Sequence, residues 1–284
     1  MDILASAKLN LALHITGKRP DGYHLLDSLV AFTEFGDRLT LTPADTLSLE
    51  VRGEFASDLE ASQNLVWRAA VLLQQHIGRA LGAAILLQKN IPVGAGLGGG
   101  SSDAAAALRG LCALWEVDIE RGTLTHIAQA LGSDMPVCEA DHPACMSGIG
   151  ERIEPVALDT EVWLVLVNPR RVLATADVYR EYSGQYRPAS THVCHIPGMD
   201  VLLDVIAPMH NDLQLPAIRR LPVISEIIAA LSGTPGCLLA RMSGSGATCF
   251  GIYLTRQEAA AAAHELRKRY PAWWCMATKL KSTI

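Results

Sequence analysis

A glycine-rich segment that ends in hydroxyl and carboxylate side chains is the part of this chain best suited to chemistry. Five of the seven residues in Gly94–Gly100 are glycines, and Ser101, Ser102 and Asp103 follow directly. Glycine lets the backbone turn its N–H groups toward a ligand without a Cβ atom in the way. The alanine-rich run that comes next predicts a helix, whose first N–H groups are unpaired and lie at the positive end of its dipole. The segment therefore predicts a site for an anion, most often a phosphate.

Two common phosphate-binding loops fit this segment poorly. A Walker loop needs Lys and then Ser or Thr after its last glycine, and Ser101 stands where that lysine would be, so this loop is excluded. The dinucleotide-binding fingerprint is matched formally by Gly94, Gly96 and Gly99, with Glu116 as its acidic residue. No second apolar strand leads to that acid, so this alternative stays open only as a pattern match. A glycine-rich turn without a ligand would have to offset the conformational cost of ordering five glycines.

The complete segment, Pro-x-Gly-x-Gly-Leu-Gly-x-Gly-Ser-Ser-Asp-Ala-Ala from Pro92 onward, resembles the ATP phosphate loop of the GHMP kinases. Residues 7–13 and 242–250 resemble the first and third motifs of that family, in the same order. The resemblance implies a kinase that uses ATP with Mg²⁺, and no metal ligand from the protein except Ser101 through Mg-ATP. The ATP-binding residues that it implies are Pro92, Val93, Gly94, Ala95, Gly96, Leu97, Gly98, Gly99, Gly100, Ser101 and Ser102, and the supporting second loop contributes Gly244 and Gly246.

Four short elements resemble one branch of that family, whose members phosphorylate the 2-hydroxyl of a cytidine-diphosphate-linked methylerythritol on the route to isoprenoid precursors. These elements are residues 7–11, 21–24, 132–136 and 211–213. The Asp-Gly-Tyr-His sequence at 21–24 is the one that separates this branch from mevalonate and homoserine kinases. A GHMP kinase of the mevalonate or homoserine type, and a nucleotide-binding module without catalysis, are the alternatives.

Lys8, Asn10 and Asp134 are the residues to which the resemblance assigns the reaction. Lys8 and Asn10 alternate on a predicted strand and share a face, which ordinary solvent exposure would also explain. Asp134 could equally cap the helical turn that follows it. The resemblance implies that Lys8 is the catalytic lysine, that Asp134 is the catalytic acid/base paired with it, and that Asn10 contacts the substrate. An adjacent ammonium would keep that carboxylate ionised, and phosphoryl transfer depends on positioning and charge neutralisation.

The resemblance also implies residues for the cytidine end of the substrate. Tyr23 and His24 follow the first strand, and Tyr23 would stack on the base, an interaction worth about 1–3 kcal/mol. Thr175 and Tyr179 match a substrate-contacting threonine and the aromatic residue on the other side of the ring. An ordinary aromatic residue on a helix face is the alternative for Tyr179. Helix capping is the alternative for the serines that end the glycine run.

Strands and helices must position these residues, and their patterns predict a mixed architecture. Residues 7–15 alternate between apolar and mostly polar side chains, which predicts a half-buried strand. Further strands are predicted at 25–35, 37–42, 83–88, 163–167, 237–241, 248–254 and 273–279. Helices are predicted at 64–76, 102–114, 124–131, 175–182, 199–206, 222–231 and 256–269.

Strands and helices do not alternate strictly, so an α+β fold with two domains is favoured over a doubly wound parallel sheet. The weakly patterned residues 154–159 place the boundary, which gives domains 1–156 and 157–284. The resemblance implies the two-domain GHMP-kinase fold. In that fold the N-terminal ATP-binding domain is α/β, the C-terminal domain is ferredoxin-like α+β, and the active site lies in the cleft between them.

Composition narrows the cellular setting and the partners. The net charge of −5 and the absence of a dense basic run argue against a nucleic-acid partner. No stretch approaches the ~20 apolar residues of a membrane span, and the start of the chain predicts no secretion signal. Seven cysteines without a Cys-x-x-Cys motif predict reduced thiols in a cytoplasmic protein. The cysteines and histidines at 138, 142, 145, 192, 194 and 195 match no zinc spacing. We expect small-molecule substrates only, and a monomer or weak homodimer.

Overall fold

The computed structural model describes residues 1–56, 64–189 and 193–282 of the 284-residue chain. The chain forms two compact units, and each unit is assembled from separate stretches of sequence. The first unit comprises Met1–Ala7, Phe35–Val93 and Gly98–Asp141. The second unit comprises Lys8–Glu34, Gly94–Leu97 and His142–Ile284. The boundary between two sequence domains after residue 156 stays a prediction.

The first unit combines a short sheet with four helices. Strand β2 (His24–Thr42) pairs through residues 38–42 with antiparallel β4 (Ala83–Lys89), and β4 pairs in parallel with β3 (Leu47–Gly53). The helices are α1 (Leu65–Ile77), α2 (Gly99–Leu114), α3 (Arg121–Leu131) and α4 (Met135–Ala140). Helix α2 packs against α1 and α4. It is the helix that follows the glycine run, so the packing of this unit sets its direction.

The second unit contains a four-stranded antiparallel sheet covered by helices. The strand order is β10 (Leu239–Met242), β11 (Cys249–Tyr253), β8 (Trp163–Asn168) and β12 (Trp274–Lys279). Helices α8 (Val223–Ser232) and α9 (Arg256–Arg269) pack on these strands. The remaining elements are α5 (Thr175–Glu181), α6 (Met199–Ile206), α7 (Gln214–Arg220), β5 (Ala144–Gly148), β6 (Arg152–Pro155), β7 (Ala157–Leu158) and β9 (His195–Ile196). Strand β5 pairs with β6 and with residues 26–30 of β2.

Two helices begin directly after a capping side chain. The side chain of Asn64 accepts a hydrogen bond from Val66 N at 2.9 Å, and α1 starts at the next residue. Thr255 and Glu258 form a capping box at the start of α9, whose bounds match the prediction. Across the described residues, no helix has both the length and the apolar character needed to cross a membrane.

The prediction that the first strand is half-buried is wrong. Strand β1 (Asp2–Lys18) is longer than predicted, and every residue from Ala5 to Ile15 is buried, including Lys8 and Asn10. The polar face is covered because Asn10 bonds to residues of other elements in the second unit. The two strands predicted at 25–35 and 37–42 form the single strand β2. It continues through Gly36, where a Cβ atom would lie 2.1 Å from the carbonyl oxygen of Ala5.

Candidate active site

The glycine loop (residues 92–100) obtains its shape from glycines at alternate positions. Gly94, Gly96 and Gly98 have φ angles of +64°, +73° and +62°, in the left-handed region that other residues rarely adopt. Gly98 is the N-cap of α2, so the helix begins inside the glycine run, three residues before the predicted start at Ser102. Because Gly98 has no side chain, the N-cap residue of α2 makes no side-chain capping bond. The N-terminus of this 16-residue helix is suited to binding an anion.

The second glycine loop (residues 243–247) packs directly on the backbone of the first. A Cβ atom on Gly96 would lie 2.6 Å from the carbonyl oxygen of Gly246 and 2.8 Å from that of Ser243. The hydroxyl of Ser243 donates to the carbonyl oxygen of Gly96 at 3.2 Å, and Thr248 N donates to that of Ala95 at 3.1 Å. The glycines therefore permit a backbone-to-backbone approach, and the hydrogen bonds hold it.

Asn211 fixes the second glycine loop from the opposite side. Its Nδ2 donates to the carbonyl oxygens of Met242 and Gly244 at 2.8 and 2.7 Å, and its Oδ1 accepts from Leu213 N at 2.9 Å. Asn211 is buried, so these bonds are made away from water. Gly244 has a φ of +56°, and Asn211 satisfies the carbonyl group of that unusual turn. The predicted supporting loop thus has a supporting residue of its own.

Strand β1 places Lys8 and Asn10 beside these loops within the second unit. Lys8 is 3% exposed, and its backbone N–H donates to the carbonyl oxygen of Leu97 at 2.8 Å. Asn10 is 1% exposed, and its Nδ2 donates to the hydroxyl of Ser28 at 2.8 Å. Among the described residues, Asn10 Oδ1 has no hydrogen-bond partner although it is buried. A buried acceptor of this kind calls for a donor, which a bound hydroxyl would supply.

Asp134 and the two serines belong to the first unit. Asp134 directly precedes α4 with φ and ψ of −82° and −11°, and its side chain makes no capping bond to the described first turn. Helix capping therefore does not explain this half-buried carboxylate. Ser102 is buried, and its hydroxyl donates to Cys138 Sγ at 3.5 Å. Ser101 is half-buried in the first turn of α2 and is the stronger candidate for a phosphate contact.

Two of the residues predicted to bind the cytidine end of the substrate, His24 and Tyr179, belong to one aromatic group. The His24 ring stacks on that of Tyr179 with centroids 5.3 Å apart and meets Tyr182 edge-on at 6.2 Å. Tyr23 is 59% exposed in the turn that precedes β2. Thr175 lies within 2.9 Å of the hydroxyl of Ser245, on the second glycine loop. The structure therefore brings His24 to Tyr179, and Thr175 to the glycine loop.

The described residues do not form a protein-held metal centre. No group of three or more His, Cys, Asp or Glu side chains within ranges 1–56, 64–189 and 193–282 could hold an ion. His192, one of the cysteine and histidine positions that match no zinc spacing, lies outside these ranges.

A cluster of three charged residues in the first unit was not predicted from the sequence. Lys89 Nζ donates to Asp103 Oδ2 at 2.7 Å and also to Asp37 Oδ2, and we call these three residues the buried triad. A signal for it exists in the sequence. Lys89 continues the buried face of β4, on which the preceding residues are Ala83, Ile85 and Leu87, so a charged group there requires partners.

Two family models of the GHMP kinases match this chain. The GHMP kinases N terminal domain matches residues 64–148, and the GHMP kinases C terminal domain matches residues 202–272. A 4-diphosphocytidyl-2-C-methyl-D-erythritol kinase of Paramagnetospirillum magneticum is 49% identical over 99% of this chain and 98% of its own length. The chain belongs to this kinase family.

Other members of the family give the same result. A 4-diphosphocytidyl-2-C-methyl-D-erythritol kinase of Parvibaculum lavamentivorans is 49% identical over 95% of this chain and 94% of its own length. The crystal structure of a 4-(cytidine 5'-diphospho)-2C-methyl-D-erythritol kinase superposes with a TM-score of 0.81 at 35% identity, covering 99% of this chain and 100% of that one. The predicted GHMP-kinase fold and α+β class are thereby confirmed. The roles of individual residues within the kinase family stay predictions for this chain.

Replacing Asn211 with alanine is expected to lower the free energy of unfolding by about 2–4 kcal/mol, because two buried carbonyl groups lose their donor. Urea denaturation measures this change. Gln75→Ala is the matched control, since it removes an exposed amide from α1 and should change stability by less than about 0.5 kcal/mol. Equal stability of the two variants would show that Asn211 does not support the second glycine loop of this kinase.

Proposed function

We propose that this chain transfers the γ-phosphate of ATP to the 2-hydroxyl of 4-diphosphocytidyl-2-C-methyl-D-erythritol, giving the 2-phosphate and ADP. The reaction belongs to the methylerythritol phosphate route to isoprenoid precursors. The full-length similarity to kinases named for this substrate is the observation that carries the proposal. We also propose that its sequence domains are 1–156 and 157–284, and that it works as a monomer or weak homodimer.

The donor side of the proposed reaction uses the glycine loop. Backbone N–H groups of the loop and of the first turn of α2 bind the ATP phosphates, and the helix dipole favours their negative charge. Mg²⁺ enters with ATP, held mainly by phosphate oxygens, and Ser101 is the candidate hydroxyl for contact with Mg-ATP.

The acceptor side uses Asp134, Lys8 and Asn10. Asp134 accepts the proton of the 2-hydroxyl as the oxygen of that hydroxyl forms a bond to the γ-phosphorus, and the bond from this phosphorus to the leaving oxygen of ADP breaks. Lys8 stabilises the negative charge on the transferred phosphoryl group, which is the main catalytic requirement of phosphoryl transfer. Asn10 Oδ1, a buried acceptor without a partner among the described residues, takes a hydrogen bond from a substrate hydroxyl.

The cytidine end lies against the aromatic residues in this proposal. Tyr23 and Tyr179 stack on the two faces of the base, and His24 bonds to its edge. Thr175 contacts the substrate from the side of the second glycine loop, where its hydroxyl already lies near Ser245. Stacking of each aromatic residue would contribute about 1–3 kcal/mol to binding.

The pH dependence of substrate binding tests the place of His24. Burial lowers the pKa of His24 below 6.5, and Lys18 lowers it further, so the imidazole is neutral at pH 7. As the pH falls, His24 is protonated at a higher pH in the unfolded chain than in the folded protein. Protonation therefore disfavours the folded state only below pH 6.5. We expect the KM for the cytidine substrate to stay constant from about pH 8 to 6.5 and to rise below that, when the base-binding residues gain a charge.

The matched variant for this measurement is His24→Asn, which cannot titrate and should bind the substrate more weakly with a flat pH profile. Steady-state kinetics with ATP at saturation measures both proteins. A KM that already rises between pH 8 and 7 in the wild type would contradict the lowered pKa. An equally steep rise in the variant would assign the titration to another group.

A coupled assay of ADP release tests the proposed function. Purified protein is supplied with Mg-ATP and, in separate reactions, with 4-diphosphocytidyl-2-C-methyl-D-erythritol, mevalonate or homoserine. We expect turnover with the cytidine substrate alone, and a product that carries its phosphate on the 2-hydroxyl. Turnover of mevalonate or homoserine instead would support a different GHMP kinase. ATP binding without any phosphorylated product would support a nucleotide-binding module.

A further inference from the structure

The buried triad (Lys89, Asp37 and Asp103) has no part in the proposed chemistry and yet is among the least exposed charged groups in the first unit. The three side chains are 4%, 0% and 3% exposed. Removing charges from water is costly, and their mutual attraction offsets that cost only when the geometry is good. Apolar side chains of similar volume often stabilise a fold as well or better. Fold stability alone is therefore a weak reason for the triad.

The location of the triad offers a better reason. Lys89 is the last residue of β4, and Asp103 lies in the second turn of α2, so their ion pair joins the strand before the glycine loop to the helix after it. Asp37 binds the two residues that precede the loop, because its Oδ1 accepts hydrogen bonds from the backbone N–H groups of Asn90 and Ile91 at 2.6 and 2.8 Å. The bridge through Lys89 thus ties both ends of the glycine loop to one point.

A loop with several left-handed glycines needs such ties. Glycine loses more conformational freedom on folding than other residues, so a glycine run that is free at its ends would sample many shapes. An anion site must present its N–H groups in one arrangement before the ligand arrives, or ordering the loop weakens binding. Fixing the two ends reduces that cost without placing any side chain in the site.

The charge state of the triad is also compatible with a neighbouring anion. Burial raises the pKa of Asp103 well above its ordinary value, against the opposing effect of Lys89. Asp103 Oδ1 is buried and has no partner among the described residues. The raised pKa of Asp103 opposes a second negative charge in the triad, which would otherwise repel phosphate groups.

We propose that Lys89 is a positioning residue for the phosphate donor, which bridges Asp37 and Asp103 and so holds the two ends of the glycine loop in the shape that binds ATP. The inference rests on the proposed function, because it names the residue that prepares the ATP site of that kinase. Lys89 acts through the loop and does not touch the reacting atoms.

Kinetics of a Lys89→Met variant tests the proposal. We expect the KM for ATP to rise about tenfold or more because the loop is misplaced, while the KM for the cytidine substrate changes by less than about twofold. Arg52→Met is the matched control. It removes a positive charge from the neighbouring strand β3, where Arg52 is exposed and pairs with Glu50, and it should leave both constants unchanged.

A second variant separates positioning from stability. The triple variant K89M/D37N/D103L removes all three charges, so its thermal midpoint should approach that of the wild type even if Lys89→Met alone fails to fold. Its Kd for a non-hydrolysable ATP analogue should stay weakened by about tenfold, and amide hydrogen exchange at residues 92–100 should be faster. Wild-type affinity in this variant would overturn the proposal. So would an equal rise of both KM values in Lys89→Met.

The same measurements distinguish this inference from the proposed function. If the wild-type protein binds the ATP analogue but phosphorylates no cytidine substrate, the proposed function fails. The analogue affinities of the wild type, the triple variant and Arg52→Met still decide the role of Lys89. If turnover is as proposed but the triple variant binds the analogue normally, only the role of Lys89 is rejected.

Discussion

An Asp134→Asn variant is expected to lose kcat by about 10²–10⁴-fold while its affinity for ATP stays close to that of the wild type. The amide cannot accept the proton of the substrate hydroxyl, although it has nearly the shape of the carboxylate. Folding should be retained, because the exchange leaves the volume of this half-buried side chain nearly unchanged. Single-turnover kinetics and binding of an ATP analogue measure the two quantities separately.

The matched control for this variant lies at the other end of the same helix. Asp141 is the C-cap of α4, and its carboxylate lies 3.6 Å from the guanidinium of Arg109. Asp141→Asn removes the same charge from a position that the proposed mechanism does not use, so kcat should change by less than about threefold. A wild-type kcat in Asp134→Asn would remove this residue from the mechanism, and a large loss in both variants would indicate a general effect on the helix.

A Gly96→Ala variant is expected to lose kcat/KM for ATP by about 10²-fold or more, because a misplaced loop no longer aligns the phosphate donor. Two physical effects act together at this position. The φ of +73° costs a residue with a side chain about 1–2 kcal/mol. In addition, the new Cβ atom would lie 2.6 Å from the carbonyl oxygen of Gly246, so the two glycine loops must separate.

Gly94→Ala is the control that isolates the second effect. Gly94 has a similar φ of +64°, but the nearest neighbouring atom to a new Cβ is a methyl carbon of Val172 at 3.8 Å. This variant carries the backbone strain alone, so its kcat/KM for ATP should fall less than that of Gly96→Ala by about tenfold or more. If both variants lose the same amount, backbone strain explains the loss, and the contact between the loops has no separate role.

The helices and strands that the sequence predicts well are those with local signals. Helix α9 follows a capping box at Thr255 and starts as predicted, and α1 follows the N-cap Asn64 and starts one residue after its predicted start. Strand β3 was not predicted, although exposed and half-buried residues alternate along it. The strand is stabilised mainly by its pairing with β4, which the sequence of the strand does not show. Helices α4 and α7 were missed as well, since each has only six or seven residues and no side-chain cap in the described structure.

The sequence by itself predicted an anion site, and the resemblance of its motifs to known proteins indicated the family and the fold class. The anion site depends on backbone chemistry that one segment carries alone. Alternate glycines permit left-handed φ angles, and the helix that follows them supplies unpaired N–H groups. No distant residue is required to predict an anion site, so the residues of this segment were sufficient.

Only the tertiary structure decided what surrounds that segment. Burial of both faces of β1 turns Lys8 and Asn10 from surface candidates into enclosed groups. Contacts across more than 140 positions bring the second glycine loop onto Gly96, and a bridge through Lys89 joins Asp37 to Asp103. Burial and pairing of polar groups depend on residues far apart in the chain, and their free energies appear only after the elements pack. For that reason the sequence predicted the glycine loop but missed the charged residues that hold its two ends.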